Sequence, residues 1–368
     1  MKKILFTFLV GTLFISHSCI NDNEDPVAVP PIEGAVADPL VGGAAQPNQV
    51  WIDLSDIDPV TKLPKQKYTR RTDWDLAFYS GNAFKVMLNS SIMMAAGKIQ
   101  NATDFDQVNE STVAGLKNQV QVANFNPDNI AFIDDVAGNF PTGYTAIEEI
   151  KANDTENGIY LVNMGKDIFT GSIPVGSVTT GGDMRGWKKI QVLRAGDGYK
   201  LKSANLDGTE YIEILITKNP AYNYSFVSLN NKSEVIIQPE KNKWDICFTV
   251  FTNTITGAGS YIYADFVNHN NLGGAGAYEV KIDAPASGLD AYNAFKVSDI
   301  DQSKFVYDDH RIIGGNWRNP VGTNGLEVYG DRFYIIKDAD GYYFKLRFTR
   351  LTNTLGERGF PQFEYKPL

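Results

Sequence analysis

Apolar and polar residues alternate in short runs along most of this chain. In "RTDWDLAFYS" (71–80) Trp74, Leu76 and Phe78 fall at every second position, and in "KNKWDICFTV" (241–250) Trp244, Ile246 and Phe248 do the same. Period two over five residues predicts a strand with one buried face. Each Trp is expected on that face, where its indole N–H needs an acceptor. Asp75 and Asp245 are expected to accept backbone N–H groups at the start of each strand.

Further landmarks recur around this repeated phrase. "VWIDLS" (50–55) precedes the first copy much as "YSFVSL" (224–229) precedes the second. "QVLRAGDGYKLK" (191–202) and "YIIKDADGYYFKL" (334–346) both predict a hairpin turning at Asp-Gly. Pairing those two turns makes the first copy longer and places an insertion within 104–186, which holds a short helix in "DFDQVNESTVAGLKNQV" with an Asp start. The pattern predicts a mostly β protein: two tandem, related antiparallel β domains, 48–219 and 220–368, with a few short helices.

The first 47 residues break the alternation. Lys2 and Lys3, the run "ILFTFLVGTLFI" and the small residues before Cys19 predict a signal peptide over 1–18. The run falls short of the roughly 20 apolar residues that span a membrane. Ser16, Ser18 and Cys19 resemble a bacterial lipobox that lacks the usual Leu, which implies a lipid on Cys19. Several acyl chains would hold the protein on the outer membrane. The Pro-, Gly- and Ala-rich stretch 19–47 is expected to be a flexible tether. Its acidic start, "NDNED", resembles an export signal that directs lipoproteins to the cell exterior.

Charge and chemistry narrow the function. Removal of 1–18 leaves 32 basic against 43 acidic residues, which argues against nucleic acid as a partner. With Cys19 lipidated, Cys247 has no partner and is expected to be a small buried thiol. The chain carries no His-Glu-x-x-His and no Gly-x-Ser-x-Gly, and neither "DIDP" nor "DADG" supplies a full calcium loop. The adjacent carboxylates Asp134–Asp135 and Glu148–Glu149 are expected on the solvated surface. The expectation is a non-enzymatic protein.

The segment "KWDICFTVFTNTITGAGSYIYADF" and the tail "YGDRFYIIKDADGYYFKLRFTRLTNTLGERGFPQFEYKPL" are similar to the HmuY family of Bacteroidetes surface lipoproteins. The shared pattern is a Trp-Asp strand start, a Thr-Asn and Gly-rich arm, and a final Asp-Gly hairpin. The resemblance implies haem as cofactor and delivery to an outer-membrane transporter, with iron between two axial ligands. The segment corresponding to the family's ligand loop, "GGNWRNPVGTNG" (314–325), holds no His, so no ligand carries over to it. Iron takes imidazole, thioether, thiolate or phenolate, which leaves His269, His310 and the loop residue Met184 as candidates. Met87, Met93, Met94 and Met164 also offer thioethers, although Met more often fills core. The alternative is a glycan-, peptide- or protein-binding surface lipoprotein without haem, using some of the 18 Tyr.

Overall fold

The computed structural model describes residues 34–322 and 325–368; the signal peptide, Cys19 and the tether up to residue 33 lie outside the described residues. The N-terminal part supplies β1 (Ala35–Ala37), β2 (Asn48–Ile57) and β3 (Pro64–Arg70). The middle supplies β4 (Leu76–Tyr79), β5 (Val86–Leu88), β6 (Ala95–Lys98), β7 (Ile159–Asn163) and β8 (Trp187–Ala195), then β9 (Gly198–Asn205), β10 (Ile212–Ile216), β11 (Tyr224–Ser228) and β12 (Ser233–Val235). The C-terminal part supplies β13 (Ile246–Ile255), β14 (Gly259–His269), β15 (Gly276–Lys281), β16 (Arg318–Gly322) and β17 (Gly325–Val328). It ends with β18 (Arg332–Lys337), β19 (Tyr343–Thr352) and β20 (Arg358–Pro367).

These strands make two sandwiches of the same design. One has a five-stranded sheet β10-β9-β8-β7-β6 and a four-stranded sheet β12-β11-β4-β5. The other has a five-stranded sheet β1-β20-β19-β18-β15 and a four-stranded sheet β14-β13-β2-β3. The core of the first joins Leu76, Phe78 and Val227 to Val162, Ile190 and Leu201. The core of the second joins Val50, Ile52, Ile246 and Phe248 to Ile336, Phe344 and Phe363.

The strand pairing crosses the boundary between the sequence copies. β2 of the first copy pairs with β13 of the second, and β11 of the second pairs with β4 of the first. The hairpin β2–β3 and the hairpin β11–β12 are therefore exchanged. A local reason lies in the link from Arg70 to Leu76. Were β2 to pair with its own β4, β3 and β4 would flank it in parallel, and parallel neighbours need a connection of about a dozen residues. Only 71–75 are available, and they turn sharply, with Asp73 N–H donating to Arg70 O at 3.1 Å.

Three expectations change. Residues 35–37, placed in the tether, form β1 against β20, with Ala37 and Val41 buried. β1 thus supplies the fifth strand of that sheet, beside β20. The two Asp-Gly turns are not equivalent: Asp197-Gly198 closes β8–β9, whereas Asp340-Gly341 closes β18–β19, which matches β7–β8 by sheet position. The first copy's longer connection is thus 164–186, between β7 and β8, in place of the turn 338–342. The predicted helix exists as α1 (Glu110–Lys117), but its cap is Asn109, which accepts from Ser111 N and Thr112 N.

The Trp residues depart from their strands. β4 begins at Leu76 and β13 at Ile246, so Trp74 and Trp244 precede the pleat and escape its alternation. Leu76, Phe78, Ile246 and Phe248 face the sandwich cores as expected. Trp74 and Trp244 instead join Trp51, Phe226, Ala77 and Cys247 in one cluster where the two four-stranded sheets meet.

Candidate binding site between the sandwiches

Each Trp-Asp pair is locked by matching backbone bonds. Asp75 N–H donates to Val227 O at 2.9 Å and Asp245 N–H to Ile52 O at 2.8 Å. The Asp75 carboxylate accepts from Leu229 N at 2.7 Å, and that of Asp245 from Leu54 N at 2.8 Å. Both carboxylates thus hold the end of the exchanged strand, a tertiary role where sequence suggested a local one. Asn89 Nδ2 donates to Trp74 O and Asn270 Nδ2 to Trp244 O, both at 2.8 Å.

The side-chain partners then diverge. Asp75 has a buried ion pair, Arg185 Nη1 lying 2.7 Å away. Among the described residues Asp245 has no cation in its place; burial, then the nearby Asp53, push its carboxyl well above the usual range. Trp74 Nε1 donates to Gln49 Oε1 at 2.8 Å, whereas Trp244 Nε1 has no partner among the described residues.

Between the sheets lies a cavity of about 130 Å³. Its apolar wall includes Trp51, Trp74, Trp244, Phe140, Phe226 and Phe251, and the polar side chains Gln49, Gln238, Asn268, His269 and His310 reach it. The structure brings both predicted histidines to this cavity. His310 lies in a loop turn as expected, half-buried, but His269 does not: it ends β14 and is 1% exposed. Its backbone N–H donates to His310 O at 3.0 Å. Met184 is half exposed in the β7–β8 connection and does not line the cavity. Met87 and Met94 do line it, Met164 is in the core of the first sandwich, and Cys247 is a buried thiol whose pKa burial raises.

Both imidazoles are neutral at pH 7. Burial lowers His269 to about 4, and burial followed by the neighbouring His269 lowers His310 to about 3. Each Nε2 meets a backbone carbonyl: His269 that of Val306 at 3.2 Å, His310 that of Val136 at 3.0 Å. On the other nitrogen of His310 the main chain of Gly138 closes in, since a Cβ there would lie 2.6 Å from Nδ1. His269 Nδ1 is buried without a partner among the described residues.

Two neutral imidazoles are the right donor type for haem iron. Their setting does not fit it. Both Nε2 atoms are engaged with backbone carbonyls, and Gly138 crowds the Nδ1 side of His310. The cavity is also small, since pockets that enclose drug-sized molecules run to about 300–1,000 Å³.

Asp134 also reaches the cavity, accepting from Leu88 N at 2.7 Å and Ala146 N at 2.9 Å, with its pKa raised by burial. Asp135 lines it too; both were expected on the solvated surface, and a pair of adjacent Asp residues gives no signal that it turns inward. Gln49, Gln238 and Asn268 were not singled out from sequence, because an amide in an alternating strand carries no mark of its function.

A family profile described as HmuY protein matches residues 45–205 and 221–365. A solved structure titled as an HmuY-like heme-binding protein from Bacteroides vulgatus is similar at 15% identity, over 38% of this chain and 82% of that chain, with a TM-score of 0.20. No curated protein matches.

Proposed function

The chain belongs to the HmuY family, and from that membership we propose that it is a non-enzymatic binding protein that captures haem for nutrient uptake. Lipid on Cys19 would carry it on the outer face of the outer membrane, beside a transporter that receives the ligand. The observation that supports this reading is the family match over both copies of the repeat. The engaged histidines and the small cavity support a haem site other than the His269–His310 pair. What the chain's own residues do there is bind and orient; no proton or group transfer is assigned to them.

The test is a titration of the mature protein with haemin, followed at the Soret band, in the wild type and in a His269→Ala/His310→Ala variant. The proposal expects a saturable shift in both. No saturable shift in the wild type overturns haem capture and leaves the second reading, a glycan-, peptide- or protein-binding lipoprotein. The sealed histidines favour that second reading. Placement is tested separately: Cys19→Ser should move the protein from the membrane to the soluble fraction, and an unchanged distribution would remove the anchor.

A further inference from the structure

Four buried polar atoms on side chains that line the cavity between the sandwiches lack hydrogen-bond partners among the described residues. They are Trp244 Nε1, Gln238 Oε1, Asn268 Oδ1 and His269 Nδ1. A buried polar group left unpaired is costly, and four on the lining of one cavity concentrate that cost where a bound molecule could relieve it. The set has a definite sense. Trp244 Nε1 can only donate. Gln238 and Asn268 present carbonyl oxygens, and His269 Nδ1 accepts when its Nε2–H donates to Val306 O.

Size and charge restrict what would complete the set. About 130 Å³ is close to the roughly 150 Å³ in which an engineered apolar cavity holds one benzene ring. The walls are aromatic, with Trp74 and Phe226 edge to face at 4.9 Å and Phe251 against His310 at 5.3 Å. Among the described residues no Lys or Arg lines the cavity and both imidazoles there are neutral, so an anion would be buried unpaired. The two lining carboxyls, Asp134 and Asp135, already accept from the N–H groups of Leu88, Ala146 and Ala137, which weakens their hold on a cation.

We infer that the cavity between the two four-stranded sheets is a binding site for one small, neutral, planar heterocycle that carries both N–H donors and a carbonyl acceptor. The carbonyl takes the indole N–H of Trp244, and the N–H groups on or beside the ring meet the acceptors of Gln238, Asn268 and His269. The site is distinct from any haem site, since it is one ring in size, and it stands whether or not haem is bound elsewhere.

The experiment is calorimetric titration of the full mature chain with uracil, 2-pyridone and nicotinamide, with toluene as the apolar control. The inference expects saturable binding of at least one heterocycle near one equivalent per chain, at least tenfold tighter than toluene. Trp244→Phe keeps the ring and removes the donor, and should weaken that heterocycle about tenfold. Gln238→Leu, just beyond the short β12, serves as a second variant with the same expectation, and far-UV circular dichroism checks that each is folded. Failure of all three heterocycles, equal binding of toluene, or full affinity in both folded variants would overturn the inference; the first result would leave water to bond these groups.

Discussion

The two sandwiches share nine strand positions but are written into the chain differently. The first runs without interruption from β4 to β12, and its core residues all fall between Leu76 and Leu229. The second is cut open between β20 and β1, so that residues from both ends of the described chain, Ala37 and Tyr365 among them, meet in one core. The repeat seen in sequence, 48–219 and 220–368, is therefore out of phase with the unit that packs. Exchange of the two hairpins converts a tandem duplication into an interlocked pair. The N-terminal hairpin that closes the second sandwich adds three fully buried aliphatic residues to it, Val50, Ile52 and Leu54.

The largest effect follows from cutting the chain in either phase. A fragment of 72–240 contains every strand of the first sandwich and should fold alone, with a cooperative thermal transition. A fragment of 48–219 has one sequence copy but lacks β11–β12 and exposes the apolar face of β2, and should show no cooperative monomeric transition. Three buried aliphatic side chains at about 1.5–3 kcal/mol each rival the whole stability of a domain, about 5–15 kcal/mol. If 48–219 folds as a monomer as firmly as 72–240, the hairpin exchange is not required by the sequence.

The next effect compares the two Asp residues. Asp75→Asn takes from Arg185, whose side chain is 4% exposed, its buried partner and leaves it only the exposed carboxylate of Asp167 at 3.4 Å, and should cost about 3 kcal/mol in chemical denaturation. Asp245→Asn keeps an acceptor for Leu54 N and removes a carboxyl that burial already drives toward its protonated form, so its cost should stay below about 1 kcal/mol. Equal costs would show that the ion pair with Arg185 contributes nothing beyond the backbone bond.

The histidines set the acid side of the comparison. Their folded pKa values lie below the ordinary 6.5, so the unfolded chain takes up protons first. Their contribution to stability is whole above about pH 6.5 and is lost as the pH falls toward about 4 for His269 and 3 for His310. Asp338, raised by burial to about 6, acts in the opposite sense: the fold binds its proton first, and stability is lost as the pH rises toward 6. A His269→Gln/His310→Gln variant should therefore lose less stability than the wild type between pH 6.5 and 5, by about 3 kcal/mol. Parallel pH profiles for the two proteins would place both imidazoles in contact with water.

Much of this fold was legible in the sequence because a strand with one buried face leaves period two behind it. Leu76, Phe78, Ile246 and Phe248 were readable in that way. Trp74 and Trp244 misled because they continue the spacing by one position past the point where the backbone leaves the sheet. The hairpin exchange was not legible, since alternation names the buried face of β2 without naming the sheet that covers it. Nor did two Asp-Gly turns reveal that they sit at different places, because turn chemistry is local and sheet order is not. At the site, His269 and His310 were found as the scarce ligating residues, but their burial came from the 305–314 and 133–140 segments, which lack regular alternation.

The smallest effect isolates one hydrogen bond. Trp74→Phe and Trp244→Phe remove similar apolar area from the same cluster. The first also leaves Gln49 Oε1 without the indole donor that lay 2.8 Å away, while the second breaks no bond with the described residues. Trp74→Phe should therefore cost about 1–2 kcal/mol more than Trp244→Phe, measured in ligand-free protein by denaturant midpoint. A Gln49→Leu background should erase the difference, because both indoles then lack an acceptor. A gap that persists in that background would assign it to packing against Phe226, and the two Trp residues would differ in shape alone.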